Sequence, residues 1–171
     1  TGEIDEVQTT DPTLGGDEMI SVGDGDNTVL GGFGSDTITT GSGSDLVIGD
    51  NGHFDYTTNA DGEPILTQAA TTDTTNATGG NDTIVASDGD NVVLAGVGSD
   101  TVTTGTGTDT VIGDNGQIDW NPTGEIDQVQ TTDPTLGGDD TITVGDGDNT
   151  VLGGFGGDTI TTGTGSDLVI G

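Results

Sequence analysis

The sequence predicts an all-β solenoid, a chain of short strands wound into stacked coils. Three observations predict it. Residues recur with a period of nine, with Gly in the fourth place, Asp, Asn or once Glu in the sixth, and Ile or Val in the eighth. All four prolines (Pro12, Pro64, Pro122, Pro134) fall outside the periodic stretches, as paired strands require, because Pro cannot donate to a ladder. No segment shows the caps and apolar stripe of a helix.

Each nine divides into a turn and a strand. Residues 13–48 read TLGGDEMIS, VGDGDNTVL, GGFGSDTIT, TGSGSDLVI. Residues 77–112 and 135–170 repeat the same four nines with small changes. The glycine-rich hexad is a turn, since Gly takes positive φ at no steric cost. The closing triplet, such as Thr37-Ile38-Thr39, is a strand whose middle residue points inward and whose neighbours point outward. Two nines make one coil, and coils stack about 4.8 Å apart.

A longer repeat organises the chain. Residues 1–49 and 123–171 agree at 43 of 49 positions. The expected units are 1–48 (connector end 1–12, block 13–48), 49–112 (connector 49–76, block 77–112) and 113–171 (connector 113–134, block 135–170). The sequence opens and stops in mid-pattern, as a window of a longer chain would. "NPTG" at 121–124 is a hairpin turn between "QIDW" and "EIDQVQ", and "NADG" at 59–62 plays the same part between "HFDY" and "PILTQ".

Composition narrows the function. The 171 residues include no Lys, Arg or Cys, and the net charge is −31. At 27% hydrophobic and 3% aromatic the chain lacks a thick core. Such numbers alone read as disorder, and the strict period argues against it. A polyanion without a basic side chain will not bind nucleic-acid phosphates or anionic membranes. No apolar run of about 18 residues is present to span a bilayer, and no signal peptide is visible. Its counter-ions must be external cations.

The stack demands those cations. Sixth-place side chains two nines apart lie one above another, Asp82 over Asp100 and Asp140 over Asp158. Two carboxylates about 4.8 Å apart repel by roughly 3 kcal/mol at an effective dielectric of 20. Burying one Val returns only about 1.5–3 kcal/mol. A hard divalent ion between coils reverses the sign. Ca²⁺ suits carboxylates and bent carbonyls in loose geometry, whereas Mg²⁺ wants tighter octahedra. Zn²⁺ would want Cys or clustered His, and His53 is the single histidine.

The motif G-G-x-G-x-D-x-(apolar)-x, carried by "GGFGSDTIT" and "GGFGGDTIT", resembles the repeats-in-toxin (RTX) nonapeptide family. The resemblance covers 108 of 171 residues in twelve nines. It implies a right-handed parallel β-roll with Ca²⁺ in the turns, interrupted here by hairpin-like connectors. Carried over residue by residue, it implies Asp36, Asp45, Asp82, Asp100, Asp109, Asp140, Asp158 and Asp167 as ligands, with Glu18 in the same place of the first nine. Asn27, Asn91 and Asn149 replace Asp in each second nine, and as neutral oxygen ligands imply weaker sites. Asp24, Asp26, Asp88, Asp90, Asp146 and Asp148 beside them either compensate or are simply solvated. "GDNG" at 49–52 and 113–116 begins a further nine, with Phe54 and Ile118 in the sixth place. No D-x-D-x-D-G loop of an EF-hand occurs.

The two outer faces differ. One carries mostly Thr, interrupted at Ser21 and Val85. The other carries Leu30, Leu46, Ile48, Leu94, Ile112, Leu152, Leu168 and Ile170. Three covers are open for this aliphatic strip: the connectors, with Phe54, Tyr56, Leu66, Ile118 and Trp120; a neighbouring chain in a fibre or bundle; or partial exposure. No catalytic set is expected, because carboxylate pairs are everywhere and none is distinctive. The expected function is structural: a Ca²⁺-dependent extender or filament segment of a secreted or surface bacterial protein. Its partners would be calcium ions and neighbouring repeats. The alternatives are an export and folding module of a secreted enzyme, and an ice-binding or other ligand-binding surface on the Thr face.

Overall fold

The computed structural model describes residues 4–59 and 61–171. Strands are numbered in chain order. One parallel sheet stacks β2 (Met19–Ser21), β4 (Thr37–Thr39), β8 (Thr83–Ala86), β10 (Thr101–Thr104), β14 (Thr141–Thr143) and β16 (Thr159–Thr161) in that order. A second stacks β3 (Thr28–Leu30), β5 (Leu46–Ile48), β9 (Val92–Leu94), β11 (Thr110–Ile112), β15 (Thr150–Leu152) and β17 (Leu168–Ile170). The chain alternates between them, one nine to each, and so builds a parallel β-roll.

The connectors interrupt the sequence but not the stack. Thr37 pairs with Thr83 and Leu46 with Val92 across the first connector. Thr101 pairs with Thr141 and Thr110 with Thr150 across the second. Twelve triplets therefore form one continuous roll, not three short ones. The pairing also runs two residues past the end of the block: the Gly49 and Asp50 N–H groups donate to the Leu94 and Ala95 carbonyls at 2.9 and 3.2 Å. Each connector is thus an insertion within one turn, leaving after Asp50 or Asp114 and returning at Gly79 or Gly137.

Between the parallel sheets lies a core one residue thick. Val29, Ile38, Val47, Ile84, Val93, Val102, Val111, Ile142 and Val151 are buried there, all eighth-place residues. The turns stack backbone on backbone. Gly98 has φ +135°, and a Cβ there would run into the Gly80 carbonyl of the coil below. Glycine is required at such points by space as well as by conformation.

The connectors form a third, antiparallel sheet, in the order β1 (Glu6–Gln8), β6 (Gly52–Thr58), β7 (Pro64–Thr71), β12 (Gly116–Trp120) and β13 (Ile126–Thr131). Both hairpins turn on an Asn. Asn59 Oδ1 accepts from the Asp61 and Glu63 N–H groups, and Asn121 Oδ1 from those of Thr123 and Glu125. Such Asx contacts fix the reversal locally. The sheet lies on the aliphatic face of the roll: Phe54, Ala69 and Ile118 pack with Ile48, Leu94, Ile112 and Leu152. Of the three covers left open by the sequence, the connectors take most of the face and partial exposure holds at its end. Leu168 and Ile170 in the last coil remain 56% and 53% exposed.

Phe54 is fully buried in this second core. Phe54→Ala is expected to cost about 3–5 kcal/mol, by the usual sum of lost transfer energy and cavity. A lowered urea midpoint with an unchanged number of bound calcium ions would show that the covering sheet stabilises the roll without forming its ion sites.

Candidate metal centre

The sixth-place carboxylates of the first and third nines form one column along one edge of the roll. Asp36 Oδ1 accepts from the Glu18 N–H at 2.8 Å, Asp82 Oδ1 from Asp36 at 2.7 Å, and Asp100 Oδ1 from Asp82 at 2.7 Å. Asp140 Oδ1 accepts from Asp100 at 2.8 Å, and Asp158 Oδ1 from Asp140 at 3.0 Å. Each Asp thus ties its own coil to the one before. The sequence separations are 18, 46 and 40 residues, so the ladder ignores the connectors.

The other oxygen of each carboxylate has no partner. Oδ2 of Asp36, Asp82, Asp100, Asp140 and Asp158 is buried without a hydrogen bond. Three of these oxygens, those of Asp36, Asp82 and Asp140, lie beside a backbone carbonyl of the neighbouring turn. A methyl group on Gly31 would be caught between Asp36 Oδ2 and the Gly49 carbonyl oxygen, and one on Gly49 between Asp82 Oδ2 and the Ala95 carbonyl oxygen. One on Gly113 would meet Asp140 Oδ2 and the Gly153 carbonyl oxygen in the same way. At these three levels acceptor faces acceptor, with no hydrogen-bond donor to the carboxylate oxygen. No three His, Cys, Asp or Glu side chains converge on one ion position among the described residues. A cation here would be held by carboxylate and carbonyl oxygens together, the mixed oxygen set that Ca²⁺ accepts. The residues present therefore fit calcium.

Electrostatics agree. Burial pushes Asp36 and Asp82 up to about 7, Asp140 to about 8 and Asp100 to about 9, and neighbouring carboxylates add to each. Without a cation the folded roll would hold protons that the unfolded chain releases near its ordinary carboxylate value. The resulting stability is fully present below about pH 4 and is lost as pH rises through the folded values. Rigorously metal-free protein is therefore expected to show its strand signal in circular dichroism at about pH 4 and to lose it by about pH 9. A metal-free roll that is more stable at the higher pH would refute this reading.

The opposite edge alternates. Asp45 Oδ1 accepts from Asn27, Asn91 Oδ1 from Asp45, Asp109 Oδ1 from Asn91, Asn149 Oδ1 from Asp109, and Asp167 Oδ1 from Asn149, each through a backbone N–H. Asp45 Oδ2 is again buried and unpartnered, whereas Asp109 Oδ2 accepts from Thr104 Oγ1 at 2.6 Å. The six flanking acids are exposed and have their own partners. Asp24 and Asp26 accept from the Ser42 and Ser44 N–H groups, Asp88 and Asp90 from Thr106 and Thr108, and Asp146 and Asp148 from Thr164 and Ser166. These carboxylates brace one turn against the next.

Sequence reasoning passes over three buried acids where the connectors leave and rejoin the roll. Asp50 is fully buried, and its two oxygens accept from the Gly80 and Val97 N–H groups at 3.0 and 2.6 Å. Burial drives it up to about 10, with Asp82, Asp73 and Asp100 adding to the rise. Asp114 repeats the arrangement with the Gly138 and Phe155 N–H groups. Asp73 receives the Asn51 N–H and side-chain amide, while the Asn115 amide donates to its carbonyl. The available signal is the "GDNG" quartet that opens both connectors.

A parallel β-roll with stacked turn carboxylates and orphaned oxygens facing carbonyls defines a calcium-binding repeat module. The chain belongs to the family described as RTX calcium-binding nonapeptide repeat (4 copies), whose model matches residues 15–53, 76–111 and 135–169. Repeats of this family bind Ca²⁺ and are structural, and the matched segments omit most of each connector hairpin. No curated protein and no solved structure matches the chain.

Proposed function

We propose that this chain is a Ca²⁺-stiffened segment of an extracellular bacterial protein, acting as an extender or filament body that folds on meeting external calcium. The observation that carries this reading is the unbroken stack. Because the connectors loop out sideways, near-identical units add coils along one axis, and length grows with the number of copies. Occurrence of the family in secreted proteins supports the location, and so does the need for abundant calcium. Several ions per chain are expected, held by Asp36, Asp82, Asp100, Asp140 and Asp158 on one edge and by Asp45, Asp109 and Asp167 on the other. Each adds stability as RT ln(1 + [Ca²⁺]/Kd).

The test is small-angle scattering with circular dichroism during a calcium titration and its reversal by chelator. A rod-like particle that appears with calcium and expands on chelation supports the reading. Equal dimensions in both states would remove it.

One observation favours a second reading, a ligand-binding Thr face. Thr37, Thr39, Thr83, Thr101, Thr103, Thr141, Thr143, Thr159 and Thr161 are all exposed on six consecutive strands, broken only by Met19, Ser21 and Val85. The array is uncharged and continuous across both connectors. Thermal hysteresis in the calcium-loaded protein would support ice as the ligand, and its absence would leave the extender role alone.

A further inference from the structure

We propose that the side-chain amides of Asn27, Asn91 and Asn149 stand in for the cation in every second turn of their edge, so that those turns close without calcium. This rests on the reading of the Asp turns as calcium sites and adds which turns are not. The same contact set occurs three times. Asn91 Nδ2 lies 2.9 Å from the Ser87 carbonyl, 3.0 Å from the Gly89 carbonyl and 3.0 Å from Asp109 Oδ1. Asn27 Nδ2 lies 2.9 and 2.6 Å from the Gly23 and Gly25 carbonyls and 3.0 Å from Asp45 Oδ1. Asn149 Nδ2 lies 3.1 and 3.2 Å from the Gly145 and Gly147 carbonyls and 3.1 Å from Asp167 Oδ1. Two turn carbonyls and the carboxylate of the next coil are what a hard cation would gather. Here a partly positive NH₂ gathers them.

The amide orientation follows from its other end. Asn91 Oδ1 accepts from the Asp45 N–H, and Asn149 Oδ1 from the Asp109 N–H. Flipping either amide would set NH₂ against N–H and leave the carbonyls without a donor. Where the same edge carries Asp45 instead, one oxygen is buried and unpartnered. Carboxylate and amide alternate, so this column holds half the charge of the all-carboxylate one. The roll is metallated asymmetrically: one edge takes ions at successive levels, the other only in its Asp turns. The neutral-ligand role that the sequence implies for these asparagines gives way to a donor role.

The experiment counts ions. Equilibrium dialysis of the full 171-residue chain against calcium is compared for wild type, Asn91→Asp and the triple variant N27D/N91D/N149D. The expected result is about one further ion for the single change and about three for the triple, with folding shifted to higher free calcium. An unchanged count, with the variants folded, would mean that ions already sit in the Asn turns and would overturn the proposal. A second readout does not depend on the variants folding. In ¹⁵N spectra of the calcium-loaded wild type, the Asn91 Nδ2 protons are expected to exchange slowly with solvent. Fast exchange would show the amide displaced and would sink the idea. A wild type that binds no calcium removes the proposed function, and the same spectrum, taken on that chain, still decides the amide contacts.

Discussion

Removing calcium at neutral pH is expected to unfold the roll. Five buried carboxylate oxygens on one edge and one on the other lack any partner in the protein. The chain holds no Lys or Arg to neutralise them at a net charge of −31. Each calcium at a hundredfold its dissociation constant stabilises the folded state by about 2.7 kcal/mol. Several such sites together match the whole stability of an ordinary domain, about 5–15 kcal/mol. Chelation should therefore abolish the strand signal in circular dichroism and expand the particle, reversibly. A chelated protein with full strand content and native hydrogen-exchange protection would show that the columns hold without ions.

Asp100→Asn is expected to act with opposite signs in the two states, and Asp100→Ala is not. Asp100 Oδ1 accepts the Asp82 N–H, and its Oδ2 has no partner. Asn preserves the Oδ1 acceptor. It replaces the lone oxygen by an NH₂ that can donate to turn carbonyls, as Asn91 does on the other edge. In calcium-free solution the folded column makes Asp100, pushed up to about 9, keep a proton that the unfolded chain releases, and Asn needs none, so the variant should be more stable than wild type. In calcium it should lose bound ion and be less stable. Asp100→Ala leaves the buried Asp82 N–H unsatisfied and should cost about 1–3 kcal/mol in either state. Thermal melts of both variants check this, with calcium at neutral pH and with chelator at about pH 5, where the metal-free roll still folds. Equal destabilisation by Asn and Ala in chelator would show that the carboxylate is not repulsive there.

These expectations draw on two kinds of information. The turn, the inward Ile or Val and the carboxylate column are legible in a single nine. Gly98 must be Gly because its backbone turns with positive φ, and Ile84 must be apolar because a three-residue strand has one inward side. Such requirements act over a few residues and leave a period behind. The hairpins are legible for the same reason, since Asn121 and Asn59 close their turns with N–H groups two and four residues on.

Other features are not written locally. Asp50 is indistinguishable in sequence from a solvated loop acid. It is buried only because Gly80 and Val97, 30 and 47 residues away, bring their N–H groups to it. Asn91 reads as an oxygen ligand until the Asp45 N–H on its Oδ1 fixes which end of its amide points into the turn.

The amino-acid order thus decides the period, the glycine turns, the thin core and the need for a hard cation, all consequences of steric and electrostatic rules within or between adjacent nines. Tertiary structure alone decides that the three blocks fuse into one six-level stack, that the connectors cover the aliphatic face, and that the amides of one edge donate to the turn carbonyls and to the carboxylate of the next coil. Those outcomes depend on ladder pairings such as Thr37 with Thr83, and no short-range pattern records which strand a chain will meet after a 28-residue excursion through 51–78.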